Sequence, residues 1–328
     1  MGDDRGGGMP ICILARMVDR GPGVLHSILP VTMQNDSHAS DAEFRTAVEV
    51  LDAGDIAALD RLVSGNPALV RDRLEQPGAW LRDIVGNALD GFFARPYLLW
   101  FVAEDPVRNR RLPENIAAVA QHIVEAARRA SARNLQEQLD YALTLVSWSV
   151  VARECGVQLQ LIDVLVDAGA RPDNNANNAL VNGNVAAAER LLERGATVTL
   201  PAALILDRWD SVNGLLASAT PDQKQFAFVL SALNGRTRAL RRLLAAGVDV
   251  NAPSANLFSH GTPLHHAVCS GSLDAVTTLV DAGASTAVKD KAWGGTPLGW
   301  AEHYVNETRA AADKKQYTAI ATYLRDRP

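Results

Sequence analysis

Histidine and cysteine side chains concentrate near residue 265. His265 and Cys269 are four residues apart and would share one face of a helix, with His266 beside them. A Cys–His pair can act as a nucleophile when an imidazolium stabilises the thiolate and a third group orients it. With His260 and His303, the same side chains could instead supply the nitrogen and sulfur ligands that zinc prefers. One alternative is therefore a metal-binding or Cys/His-dependent enzyme.

The elements that would position this cluster show a repeating pattern. The block Gly-Thr-Pro-Leu occurs at Gly261–Leu264 and again at Gly295–Leu298, 34 residues later. Thr262 is a good N-cap, and Pro263 fixes the backbone of a first helical turn, where a missing N–H costs nothing. The pattern predicts a helix that ends at Gly271, with positive φ, followed by a second, antiparallel helix.

Further glycines mark the same spacing upstream. Pairs of glycines twelve residues apart bracket three second helices: Gly183 and Gly195, Gly235 and Gly247, and Gly271 and Gly283. Asp55 can cap a helix after Gly54, and Thr220-Pro221-Asp222 predicts the start of another. The pair Gly294-Gly295 shapes a turn and lacks the Lys-Ser/Thr of a phosphate-binding loop.

This pattern resembles the ankyrin repeat, whose signature is Thr-Pro-Leu-His-x-Ala at a period of about 33 residues. Gly247-Val-Asp-Val-Asn-Ala252 also resembles the family. The resemblance covers 41–328, is strongest at 178–304, and is similar in its order of features to a group of bacterial ankyrin proteins. It implies an all-α solenoid of about eight helix-turn-helix units, several degenerate, with inserted loops. It also implies that His265 is structural and that Cys269 occupies a variable position.

The resemblance suggests how the chain is divided. Residues 1–40 are interpreted as a disordered or mis-called extension, because all four methionines lie within the first 33 residues and Met33 would be the natural start. The ankyrin domain would then comprise an N-terminal cap unit (41–78), irregular loop-bearing units (79–175), regular units (176–304) and a C-terminal cap helix (305–328).

Composition limits the classes of function. A formal net charge of −5 gives no reason to expect nucleic acid as the main partner. Three widely spaced cysteines form no disulfide framework, so we expect a cytoplasmic protein. No apolar run approaches the roughly 18 residues of a membrane span. Two arginine clusters, Arg108–Arg111 and Arg236–Arg242, could meet an acidic partner or could be solvated surface.

The resemblance implies a non-enzymatic, monomeric scaffold that binds a partner protein or peptide along a concave groove, without cofactor, catalytic residue or metal ligand. An exposed Trp293 would be an interface anchor. The predicted partner-binding residues are Val181, Asn182, Leu233, Asn234, Leu257, Phe258, Cys269, Ser270, Trp293, His303 and Tyr304. A third alternative is a small-molecule pocket between the irregular second and third units, near Trp100 and Trp148.

Overall fold

A computed structural model describes residues 39–255, 258–308 and 310–327. In these residues every regular element is helical, and the all-α prediction is confirmed. They form two compact units that divide between Thr197 and Val198. The predicted extension at 1–40 lies almost wholly outside the described residues. The predicted boundaries at 78, 175 and 304 stay predictions.

The first unit consists of short helices joined by loops. Its helices are α1 (Asp41–Asp52), α2 (Ile56–Gly65), α3 (Ala68–Arg71), α4 (Ala79–Val85), a 3-10 helix (Gly86–Asp90), a second 3-10 helix (Leu98–Ala103), α5 (Ile116–Arg129), α6 (Leu135–Trp148), α7 (Val150–Glu154), α8 (Gln158–Asp167), α9 (Asn175–Val181) and α10 (Val185–Glu193). Four pairs stack in order: α1 with α2, the second 3-10 helix with α5, α6 with α8, and α9 with α10.

The second unit is more regular. Its helices are α11 (Leu200–Ile205), α12 (Trp209–Ser218), α13 (Pro221–Leu233), α14 (Thr237–Leu244), α15 (Pro263–Cys269), α16 (Leu273–Asp281), α17 (Pro297–Glu307) and α18 (Ala311–Arg325). The first helices of the pairs, α11, α13, α15 and α17, pack against one another in sequence. The second helices α14, α16 and α18 do the same, so the unit is a stack of four pairs.

Small and branched apolar residues hold this second stack together. Ala227, Ala267 and Ala301 on successive first helices are fully buried, which lets the helices approach closely. Leu240, Leu279 and Ile320 fill the equivalent layer from the second helices and are also fully buried. Each of the two compact units contains four helix pairs. The prediction of eight helix-turn-helix repeats is therefore confirmed within the described residues.

Helix starts follow the predicted capping chemistry. Thr220 accepts a hydrogen bond from the Gln223 N–H in a capping box, with Pro221 in the first turn. Asp55 accepts from the Ala58 N–H at 2.9 Å, as predicted. Gly271 has a φ of 71°, also as predicted.

The local pattern is misleading at one helix. The apolar residues of 141–151 by themselves predict a single helix from Tyr141 to Val151, whereas α6 begins at Leu135 and ends at Trp148, and α7 follows. Ser149 separates the two because its hydroxyl caps α7 by accepting from the Ala152 N–H and donates to the Ala103 carbonyl.

The inserted loop after the second 3-10 helix is organised by charge. The Arg108 guanidinium lies between Asp52, at 2.9 Å, and Glu104, at 2.9 Å, and covers the Phe101 ring. Glu104 is fully buried and accepts backbone N–H groups from Arg108, Asn109 and Arg110. The first of the two arginine clusters is thus anchored by carboxylates of its own unit.

Candidate functional site

Two loops of the second unit meet to form one surface, here called the finger surface: Phe258 and His260, which are half-buried, and Val288, Lys291 and Trp293, which are exposed. The Lys291 N–H donates to the His260 carbonyl at 2.7 Å, which joins the loop before α15 to the turn before α17. At the other end of the first loop, the Gln225 amide of α13 donates to the Asp249 and Ala252 carbonyls. Both loops are therefore tied to the helical stack.

Asp290 determines the shape of the turn. Its carboxylate accepts the N–H groups of Ala292, Trp293 and Gly295 at 2.7–2.8 Å and the Trp300 indole N–H at 3.0 Å. Burial favours the neutral acid, but these four donors outweigh it, and the pKa of Asp290 lies below its usual value. The buried carboxylate is ionised and its hydrogen-bonding capacity is used inside the turn.

The Trp293 ring contacts two other aromatic rings. The His260 ring lies 5.4 Å from the Trp293 ring and 6.0 Å from Trp300, and the two indoles are 5.7 Å apart. Trp300 is 7% exposed, whereas Trp293 is 57% exposed. The two contacts of Trp293 are edge-to-face, a geometry that stabilises ring positions. The turn thus presents a large aromatic side chain whose orientation is fixed on its inner side.

The two neighbouring histidines are buried structural groups. His265 Nδ1 accepts from the Thr262 N–H at 3.2 Å, and Nε2 lies 3.1 Å from the Gly295 carbonyl, which bridges adjacent repeats. Burial lowers the pKa of His265. Burial, together with the charge of the nearby His260, lowers the pKa of His266 to about 3. Both rings are neutral at pH 7, so neither is the imidazolium that a thiolate requires.

Cys269 has different neighbours. Its sulfur accepts from the Tyr304 hydroxyl at 3.3 Å, and its carbonyl accepts from the Tyr317 hydroxyl at 3.0 Å. His303 is exposed and its ring packs against Tyr304. Within residues 39–255, 258–308 and 310–327, no group of three or more His, Cys, Asp or Glu side chains could hold a metal ion. The predicted alternative of a His/Cys site therefore gains no support from this geometry.

A comparison with known protein families agrees with the helix pairs. A family model described as ankyrin repeats, in three copies, matches residues 202–290. Residues 202–290 are therefore ankyrin repeats. The crystal structure of the human ASB11 ankyrin repeat domain is similar at 19% identity, over 64% of this chain and 98% of that one, with a TM-score of 0.30. Nothing among the curated proteins matches the sequence.

The predicted partner-binding residues are divided between the two units. Val181 and Asn182 end α9 in the first unit, and both are buried. In the second unit, Leu233 is 9% exposed and Asn234 is half-buried, with its amide donating to the Leu230 carbonyl. Leu257 lies outside the described residues.

The remaining predicted residues lie near the finger surface or at the ends of first helices. Phe258, Cys269 and Ser270 are half-buried, whereas Trp293 and His303 are exposed. Tyr304 is 2% exposed, because its ring stacks on Tyr317 at 4.8 Å between α17 and α18. Trp293 and His303 are therefore more accessible than the other predicted residues of this region.

The third alternative is a pocket near Trp100 and Trp148, but the cleft in that region is lined by neither tryptophan. Trp100 is 4% exposed and packs against Tyr141, whose ring lies 4.5 Å away. A cleft of about 520 Å³ lies beside Tyr141 on α6. Its polar lining is largely paired within the unit, since Asp140 accepts from both Arg171 and Gln136. Those pairings leave few polar groups in the cleft for a ligand.

Proposed function

We propose that this ankyrin repeat protein is a non-enzymatic scaffold that binds a partner protein or peptide, with Trp293 as the anchor. The exposed indole on a hydrogen-bonded turn carries the proposal. Aromatic side chains of this kind are enriched at the energetic centres of interfaces, and a preorganised ring loses little entropy on binding. The fold supports it, since ankyrin repeats are generally protein-interaction modules.

The charges of the turn fit a protein ligand with both apolar and acidic side chains. Lys289 and Lys291 are exposed on either side of Asp290, and the Asp290 carboxylate is occupied by three backbone donors of its own turn and by the Trp300 indole of α17. Val288 adds apolar surface at 39% exposure. The turn therefore presents two lysine side chains to a partner, together with the apolar side chains of Val288 and Trp293.

The remaining predicted contacts belong to this proposal. Ser270 and His303 would contact the partner beside the finger surface, and Phe258 would contact it at the rim. In the first unit, Val181 and Asn182 would have to contribute through their backbone, because both side chains are buried. The proposal places the scaffold in the cytoplasm as a monomer, with Cys155 and Cys269 outside any disulfide.

The proposal is tested by affinity capture of the full chain from native lysate, comparing wild type with Trp293→Ala. We expect the variant to lose a stoichiometric partner, because truncating an anchor costs about 2 kcal/mol or more. Ile84→Ala is the matched control, since Ile84 in the first unit is 56% exposed against 57% for Trp293.

Retention of the partner by a doubly substituted Trp293→Ala, Phe258→Ala protein with wild-type thermal stability would refute this placement. An equal loss of the partner with Ile84→Ala would show that binding depends on exposed apolar area in general and not on Trp293.

A further inference from the structure

The second unit has another surface, which carries several arginines. It lies on α12 and α14, which are the second helices of neighbouring pairs. Helix α14 has three arginines and no acidic residue, and Arg236 precedes its first turn. Arg208 takes the same position before α12. The set, here called the arginine surface, is Arg208, Arg236, Arg238, Arg241 and Arg242.

The arginine surface lacks carboxylate partners within the part of the chain that the structure describes. No Asp or Glu oxygen lies within 4.0 Å of any of the five guanidinium groups. Arginines on other second helices differ: Arg190 pairs with Asp163 at 3.3 Å, and Arg325 pairs with Glu302 at 2.9 Å. None of the five guanidinium groups of the arginine surface therefore forms an ion pair with a described carboxylate, although the chain as a whole is acidic.

Two contacts fix the arginines in place without neutralising them. The Arg238 guanidinium lies 3.8 Å from the centre of the Trp209 ring, and Arg242 donates to the Asn213 side chain at 3.1 Å. Arg238 and Arg242 lie one turn apart on α14, and their partners Trp209 and Asn213 lie one turn apart on α12. The Trp209 indole is itself held by Asp207 at 2.8 Å. A guanidinium stacked on an aromatic face keeps its edge N–H donors available for a carboxylate.

One hydrogen-bond donor of Arg236, at the N-terminal end of α14, is unsatisfied. The Nε of Arg236 is shielded from solvent and has no hydrogen-bond partner. Buried donors in folded proteins are nearly always paired, so this one shows that the hydrogen-bonding groups of the α14 arginines are not all satisfied within the described residues.

We propose that the arginine surface binds a short segment of another protein rich in Asp and Glu, with Arg238, Arg241 and Arg242 receiving its carboxylates. Helix α14 has 8 residues, and a helix of that length spans about 12 Å, which matches two or three carboxylates rather than an extended polyanion. Planar guanidinium groups bind carboxylates in a bidentate manner. A net charge of −5 disfavours long nucleic acids. This surface is separate from the finger surface and does not depend on it.

The test is a fluorescence anisotropy titration of the full chain with a fluorescein-labelled peptide of ten glutamates, at about 50 mM salt so that screening is weak. The double variant Arg238→Gln, Arg242→Gln should bind about tenfold more weakly, since each lost charge-assisted hydrogen bond contributes. Arg325→Gln, which removes a paired arginine, should bind like wild type. Thermal unfolding of each variant verifies that the helices are intact.

Two further arms separate specific binding from general attraction. Arg238→Lys keeps the charge but loses the planar group stacked on Trp209, and should weaken binding about threefold. Trp293→Ala should leave the peptide affinity unchanged, so that failure of this proposal and of the finger-surface proposal are distinguishable. Unchanged affinity in the double variant, equal weakening in Arg325→Gln, or tighter binding of a single-stranded oligonucleotide of equal charge would overturn the proposal.

Discussion

At the scale of single residues, Asp290 connects stability to the finger surface. Its carboxylate collects backbone donors from the turn and the indole donor of Trp300, and Trp300 in turn contacts His260 and Trp293. An ionised acceptor with several N–H donors forms stronger hydrogen bonds than a neutral one. Loss of this charge should therefore loosen the turn and the ring that it presents.

We expect Asp290→Asn to lower the free energy of unfolding by about 1–3 kcal/mol, because an amide accepts fewer of these hydrogen bonds and places its own donors in a buried site. The measurement is urea unfolding of the full chain, followed by fluorescence and circular dichroism. Asp274→Asn is the control, since Asp274 is exposed in the first turn of α16. Equal stability of the two variants would contradict the assigned role.

His266 should make the second unit sensitive to acid. Its pKa falls from an ordinary 6.5 to about 3 in the folded protein. Between these values the unfolded chain binds a proton that the folded chain excludes, so stability is complete above pH 6.5 and declines as the pH falls. The decline is at most about 1.4 kcal/mol per pH unit for one such group.

The measurement is the free energy of unfolding at about pH 7 and about pH 5, pH values chosen on either side of the ordinary histidine pKa. His266→Leu should show a shallower decline than wild type, because the titrating group is gone. His303→Gln removes an exposed histidine and should keep the wild-type slope. A slope that is the same in His266→Leu as in wild type would show that other groups cause the acid sensitivity.

Some residue roles followed from sequence and others did not. Thr262, Pro263 and His265 are adjacent in a local motif, so their capping and bridging roles could be predicted. Asp290 could not, because its most distant donor, Trp300, lies ten residues away on the next helix. The ring contacts of Trp293 with His260 arise only when two loops meet.

At the scale of elements, a helix pair depends on how each helix ends. Gly235 and Gly247 close the two helices of one pair and both have positive φ, 63° and 80°. Their surroundings differ: a Cβ at Gly235 would lie 2.9 Å from the Ser272 Cβ, whereas nothing lies within 4 Å at Gly247. Ser272 caps α16 of the next pair, so the contact at Gly235 lies between pairs.

We expect Gly247→Ala to cost about 1 kcal/mol, the price of a left-handed conformation for a residue with a side chain. Gly235→Ala should cost about 1–3 kcal/mol more, because the Cβ also displaces the next pair. Thermal and urea unfolding of the two variants measure the difference. Equal losses would mean that the close approach to Ser272 does not constrain the stack.

The elements that sequence mispredicted lie in the first unit. A continuous apolar run predicted one helix through Ser149, and the break arises because Ser149 bonds the Ala103 carbonyl of another pair. The segment Leu98–Ala103 occupies the position of a first helix but is a 3-10 helix, with Trp100 packed between Tyr97 and Tyr141. Large rings there replace the small residues of the regular pairs, a tertiary effect that local pattern does not record.

At the scale of the whole molecule, each of the two units is a stack of helix pairs, and within a unit each pair contacts its neighbours along the sequence. The second unit ends with α17 and α18, and Ile320 of α18 is fully buried against that unit's core. In such arrays stability is approximately a sum of the stabilities of the pairs and of the interfaces between neighbours. A lesion at one end should therefore remain local.

We expect Ile320→Ala to cost about 2–5 kcal/mol by creating a cavity, and to do so mainly at the C-terminal end of the stack. Hydrogen exchange followed by mass spectrometry should show faster exchange in α17 and α18, a smaller change in α15 and α16, and unchanged protection in α1 and α2. Thr322→Ala is the control, because Thr322 is exposed on the same helix. Uniform loss of protection along the chain would show that the described pairs unfold as one cooperative block, and nearest-neighbour behaviour would then be excluded.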